Sequence, residues 1–285
     1  MAETSQGEQV PEENSPEELE RRDFEKKWFN PESASTNPEN TSLEMLGYLK
    51  SDSLDKRKMR LFTIACCRNI WHLIKDKRSR EAVEVADRFI EGKATSQEVE
   101  DALEGAIDAT YDAINVTGSE RQENMLSSWY STRAAECPLE RLNPDYSSIY
   151  SKPAYELQSV IMNTMTAVSP LGSSLNEINN KARVSEAMFQ ADCLRDIFGN
   201  PFAIEQPVID PTWLTANGGA VPRLAETIYN ERSFKDMVVL WDALEEAGCT
   251  NEEIRKHCQG DGQHVRGCWV IDLILQKGEA RQNEK

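Results

Sequence analysis

The densest run of residues able to do chemistry lies between Cys249 and Cys268. It holds two of the three histidines and three of the seven cysteines, spaced His257-Cys258-x5-His264-x3-Cys268. Zinc favours thiolate and imidazole donors, and a tetrahedral site takes four of them. A helix end, a loop and a helix start could supply His257, Cys258, His264 and Cys268. The spacing fits no familiar finger. Neighbouring residues on a helix also point about 100° apart, so one ion rarely takes both His257 and Cys258. The plainer reading puts His257 at a helix C-terminus, where a partly protonated imidazole suits the dipole. Cys249, Cys258 and Cys268 then pack inward as small hydrophobes. On that reading the chain needs no cofactor, and zinc is the alternative.

Two other segments are dense in polar chemistry. In Ala65-Cys66-Cys67-Arg68-Asn69-Ile70-Trp71-His72, Arg68 and His72 sit one helical turn apart. With Trp71 they form a face that could take an anion, a ligand or a partner. The plainer reading satisfies Arg68 and His72 with carboxylates such as Glu84 or Asp87. In Leu194-Arg195-Asp196-Ile197-Phe198-Gly199-Asn200-Pro201, Arg195 and Asp196 are expected to pair and fix a helix end. Gly199 takes the left-handed cap there, and Pro201 forbids continuation. Trp213 in Trp213–Arg223, and Arg266 in His264–Trp269, complete the candidate ligand or partner site of Arg68, Trp71, His72, Trp213, His264 and Arg266. The chain contains no GxGxxG, GxxxxGK[ST], HExxH, GxSxG or EF-hand loop. Nothing selects a catalytic pair, so the leading reading is a non-catalytic interaction or scaffold module; the alternative is an enzyme or metal-binding protein whose site of Arg68, His72, His257, His264, Arg266 and Cys268 requires the first and last core helices to meet.

Composition narrows the partners. The 285 residues carry 32 basic and 49 acidic side chains, a formal charge of −17. Tight binding to phosphate backbones needs clustered positive charge, and the basic runs Lys56–Arg60 and Lys75–Arg80 are short. Nucleic acid and anionic membrane are therefore not expected partners; an unidentified protein is. The longest apolar-rich run, Met59 to Ile74, contains Arg60, Arg68, Asn69 and His72 and falls short of the roughly 20 residues that span a bilayer. The acidic start has no secretory pattern. The odd cysteine count without a CxxC fits reducing cytoplasm.

The elements that must position these residues read as helices throughout. Residues 1–42 are acidic and poor in apolar groups, and are expected to be a disordered tail. A short helix over Glu17–Phe29 could dock through Phe24, Trp28 and Phe29. Ser53 to Ile74 is apolar nearly all round and reads as a buried central helix. Thr95 with Glu98, Ser233 with Asp236 and Thr250 with Glu253 have capping-box spacing. Leu103, Ile107, Tyr111 and Ile114 continue the helix that Thr95 opens. Pro138, Pro144 and Pro153 mark a loop crossing. The last helix runs from about Val265 to Gln276. No alternating β-branched run is long enough for a sheet. The expected fold is all-α: a tail over 1–42, one compact multi-helix domain over 43–280 in which 93–186 could form a sub-lobe, and a short tail over 281–285.

The strings LFTIACCRNIWHLIKDKRSREAVEVADRFIEG, LRDIFGNPF, IDPTWLTANGGAVPRLAETIYNERSFKDMVVLWDALEEAGC and HCQGDGQHVRGCWVIDLILQKG resemble a large family of uncharacterised bacterial proteins, present in many copies in planctomycetes. The resemblance covers roughly 43–92 and 187–277. It implies an all-helical intracellular protein with a recognition or scaffold role by association, and it assigns no functional residue.

Overall fold

The computed structural model describes residues 16–30, 40–49, 55–115, 131–132, 134–135, 153–168, 177–203 and 205–277. Twelve α-helices run through them, and no strand occurs among the described residues. They are α1 Pro16–Phe29, α2 Thr41–Tyr48, α3 Lys56–Asn69, α4 Lys77–Ile90, α5 Ser96–Asn115, α6 Pro153–Val168, α7 Glu177–Phe198, α8 Pro211–Thr215, α9 Ala220–Glu231, α10 Met237–Glu246, α11 Glu252–Cys258 and α12 Trp269–Leu275. None of these helices is long and apolar enough to cross a membrane.

Capping chemistry sets where the helices begin. Asp55 accepts from the Arg57 and Lys58 backbone N–H groups and opens α3. Thr95 and Glu98 form the expected reciprocal box: Glu98 accepts from the Thr95 N–H at 2.7 Å and its own N–H donates to Thr95 Oγ1 at 3.2 Å. The other two boxes do not form. Ser233 makes no side-chain cap, and a 3₁₀ turn over Phe234–Asp236 leads into α10. Asn251, one residue past Thr250, caps α11 by accepting from Glu253 and Ile254; Asn is the stronger cap.

Two hydrophobic cores result. The first gathers α1 to α7, with Phe62, Cys66, Cys67, Ile70, Val83, Ile161 and Leu194 fully buried. The helix α3 lies at its centre and packs on α4, α6 and α7. Described parts of 93–186 belong here, since α5 lies along α4 and α6 lies on α3 and α7. The second core joins α9 to α12 around Ile228, Tyr229, Leu240, Ile254 and Ile271.

A buried polar seam joins the two cores. Arg57 of α3 pairs with Asp272 of α12, both nearly buried, and also donates to Tyr229 Oη. Tyr229 in turn donates to Glu91, which Lys277 approaches to 3.0 Å. Asp87 of α4 gathers three guanidiniums: Arg68 at 3.0 Å, Arg266 at 2.9 Å, and Arg232. Ion pairs this dry need several partners each to offset desolvation.

Part of the expected acidic tail is helix. Residues 1–15, 31–39 and 278–285 lie outside the described residues, whereas 16–29 form α1, docked on the first core. Trp28 is fully buried and donates Nε1–H to the Gly199 carbonyl at 3.0 Å. Phe24 meets Tyr48 at 4.8 Å between ring centres. Arg21 and Glu25 bond Phe202 O and Asn200. Two of the three expected aromatics, Phe24 and Trp28, make the contact, through Tyr48 and the residues that follow α7, while Phe29 is exposed.

That end also departs from the expected Arg195–Asp196 pair. Adjacent helical residues diverge. Arg195 instead reaches Asp192 one turn back and the Trp28 carbonyl, at 3.0 Å, while Asp196 turns toward the second core. Gly199 has φ of 69° and bonds the Arg195 carbonyl. A Cβ there would only touch the Trp269 ring, 3.4 Å away, so it is the backbone conformation that favours glycine.

Candidate metal centre

Asp196 projects from the last turn of α7, where burial removes its water. Two imidazoles replace that water. His264, in the loop before α12, places Nδ1 2.7 Å from Asp196 Oδ1. His257, in the last turn of α11, places Nε2 3.1 Å from the same oxygen. Asp196 Oδ2 accepts the Val265 backbone N–H at 2.8 Å. Cys268, the N-cap residue of α12, brings Sγ to 3.1 Å from His257 Nε2. Donor atoms of all four residues lie within 4.8 Å of one another.

The convergence separates two chemistries. A Cys–His–Asp catalytic triad uses opposite ring nitrogens, one facing the nucleophile and the other the carboxylate. Here a single nitrogen of His257 faces both Cys268 and Asp196, and both imidazoles aim at one carboxylate oxygen. The Cys268 side chain is also fully buried, so no substrate reaches its sulfur. Donors that converge on one point are a group that could hold a metal ion. Tetrahedral zinc with bonds of about 2.0–2.3 Å sets its donors roughly 3.3–3.7 Å apart. The contacts at 2.7–3.1 Å need to open, and the widest separations, up to 4.8 Å, to close, by about 1 Å or less to accept it. His264 Nε2 is buried and has no hydrogen-bond partner.

Electrostatics favour a cation at this point. Burial pushes the Asp196 carboxyl up, but hydrogen bonds from His257 and His264 outweigh it and hold the group ionised below the usual range. Burial, and then the Asp196 charge, push the Cys268 thiol well above its ordinary value. The nearby backbone N–H groups of Ile271 and Val270 oppose that rise. A divalent ion reverses the thiol's protonation, since a coordinating thiol is deprotonated outright.

Of the four residues read as zinc ligands, the structure brings His257, His264 and Cys268 together. It leaves Cys258 out, buried on another face of α11, its thiol pushed up to about 12 by burial. Asp196 completes the set, and no spacing rule reaches it from 61 residues away. The larger candidate surface is divided. Arg68 is held by Glu84 and Asp87, and Arg266 shares that same Asp87. Trp71 lies under the guanidiniums of Arg68 and Arg80, each 5.3 Å from its ring. His72 is exposed and lies near Glu186, ten residues or about 15 Å along α7 from Asp196. Trp213 packs against the second core.

An open cleft of about 900 Å³ runs along this centre, with His257, His264 and Trp269 on one side and Lys58 and Phe198 on another. Fold and site together define an all-helical protein with an Asp–His–His–Cys group on the seam between two cores. No family model, curated protein or solved structure matches the chain.

Proposed function

We propose that this chain is a metal-binding helical protein in which Asp196, His257, His264 and Cys268 hold a zinc ion as a clasp between the two cores. The carrying observation is the meeting of four donors from four separate segments within 4.8 Å. One donor belongs to the first core and three to the second, so the ion ties the cores together. Four protein ligands leave zinc no open position, which is the arrangement of structural rather than catalytic sites. The mixed sulfur, imidazole and carboxylate set suits zinc better than magnesium or calcium, which take oxygen. On this reading the chain is a non-catalytic module whose binding surfaces are stiffened by the clasp.

The test is the metal content of purified, tag-free protein by plasma mass spectrometry, repeated on a His264→Ala, Cys268→Ala variant. About one zinc per chain, absent from the variant, supports the clasp. Loss of none of the bound metal in the variant, or no metal after growth and purification with zinc supplied, overturns it.

A further inference from the structure

The cleft beside the clasp contains a cation with no ion-pair partner among the described residues. Lys58 sits in the first turn of α3, half-buried, with its ammonium 6.0 Å from the centre of the Phe198 ring. No carboxylate oxygen lies within ion-pair distance of it among the described residues, although it stands close enough to Asp55 and Asp272 to feel their charge. Both carboxylates are committed elsewhere. Asp55 caps α3 through the Arg57 and Lys58 backbone N–H groups, and Asp272 is clamped by Arg57. Of the other cations of the cleft, Arg195 is held by Asp192 and the Trp28 carbonyl and Lys277 by Glu91, while Lys256 is exposed and keeps its water. A half-buried ammonium without a counter-ion has lost water without replacing it.

The walls indicate what would complete it. Phe198, Trp269, Leu273 and Pro207 supply apolar surface, and the volume falls within the range of small-molecule sites, about 300–1,000 Å³. The remaining charges restrict the anion. Glu25 and Asp192 line the cleft but are paired with Arg21 and Arg195, and the exposed Glu253 and Lys256 are of opposite charge, so Lys58 is left as a single positive charge that a single negative charge matches. We propose that the cleft binds a monocarboxylic acid with an apolar or aromatic body. Its carboxylate pairs with Lys58, and its body lies between Phe198 and Trp269. The proposal stands apart from the zinc clasp, because Lys58 is not one of the four donors.

The test is calorimetric titration of the full chain with phenylacetate and with decanoate. Phenylacetamide, decanol and inorganic phosphate serve as comparison probes. One site per chain is expected for at least one of the acids. The matching neutral probe and the Lys58→Met variant should bind about tenfold to hundredfold more weakly, the loss of one charge-assisted pair. Lys58→Arg should retain binding. The neutral-probe comparison uses the unaltered chain and so does not depend on the variant folding. Failure of both acids to bind, equal binding of an acid and its neutral counterpart, unchanged binding in a folded Lys58→Met chain, or tighter binding of inorganic phosphate overturns the proposal. Zinc is measured in every sample. Acid binding through Lys58 in a zinc-free chain would sink the clasp alone, and zinc without acid binding would sink this site alone.

Discussion

Asp196 stands at the end of α7 in the first core and His264 in the loop before α12, yet His264 Nδ1 lies 2.7 Å from Asp196 Oδ1. This contact joins the two cores through a carboxylate that is almost wholly buried. Asp196→Ala leaves both imidazoles and the Val265 N–H without their acceptor. Removing one partner of a buried charged pair costs about 3–5 kcal/mol. Asp192→Ala, four residues earlier, breaks only a part-exposed pair with Arg195 and should cost about 0–1 kcal/mol. Urea denaturation of the two variants measures the difference; equal midpoints would remove Asp196 from the seam.

Metal removal should loosen the same junction. Anything bound to the folded chain alone stabilises it by mass action, about 2.7 kcal/mol at a hundred times Kd. For a chain this large that corresponds to a melting point lower by roughly 5–10 °C after chelation. The His264→Ala, Cys268→Ala variant should melt at one temperature with and without chelator. A chelator shift that survives in that variant places the ion elsewhere.

The fold class was legible because helical periodicity and capping are local. Thr95 and Glu98 lie three residues apart and form their box as read. Three of the four donors were legible for the same reason, since His257, His264 and Cys268 fall within one short segment. Asp196 was not, because pairing with its neighbour Arg195 looked sufficient along the chain. Only the helix geometry shows that the two side chains diverge. The docking of α1 was equally hidden: Trp28 is buried by Gly199, 171 positions away.

Asp87 should set part of the acid stability. Burial raises its carboxyl, but Arg266, Arg232 and Arg68 together outweigh burial and hold it below the ordinary value. Glu91 is lowered in the same way, with Tyr229 and Lys277 outweighing burial. A carboxyl whose folded pKa is depressed stabilises the fold fully above its unfolded pKa of about 4. That contribution is lost as the pH falls through the folded value. The chain should therefore hold its stability down to about pH 5 and lose it steeply below about pH 4. Asp87→Asn should flatten that limb and lower neutral stability by about 3–5 kcal/mol, leaving three guanidiniums crowded together. Urea midpoints across the range test this, and an unchanged acid limb would count against it.

Trp28→Ala should release α1 rather than unfold the chain. Trp28 is the helix's one fully buried large side chain. Its loss removes about 3–5 kcal/mol of local packing, enough to undock a helix held otherwise by Arg21, Phe24 and Glu25. Hydrogen exchange over 16–29 should rise sharply while that over α9 to α12 stays protected. Trp28→Phe keeps the apolar bulk and loses the bond to the Gly199 carbonyl, costing about 1 kcal/mol. Protection of 16–29 equal to that of the parent in Trp28→Ala would show that other contacts hold α1.

Gly267, just before α12, lies close against the Leu61 side chain of α3. Its φ is 101°, and a Cβ there would lie 2.8 Å from Leu61 Cδ1 and 3.1 Å from Leu61 Cβ. Gly267→Ala therefore meets two separate penalties. One is conformational and belongs to residue 267 alone. The other is overpacking against α3, typically about 1–3 kcal/mol. A Leu61→Ala background separates them. Leu61→Ala alone leaves a cavity and should cost about 2–5 kcal/mol. In the double variant the new methyl occupies part of that cavity, so the combined loss should fall short of the sum of the single losses by about 1–2 kcal/mol, as contacting residues do. The residual cost is the left-handed backbone. Additive losses in urea denaturation would mean that Leu61 and Gly267 are not in contact, and the close approach of α3 to the start of α12 would then be wrong. Because Gly267 immediately precedes Cys268, the double variant should also recover zinc that Gly267→Ala loses.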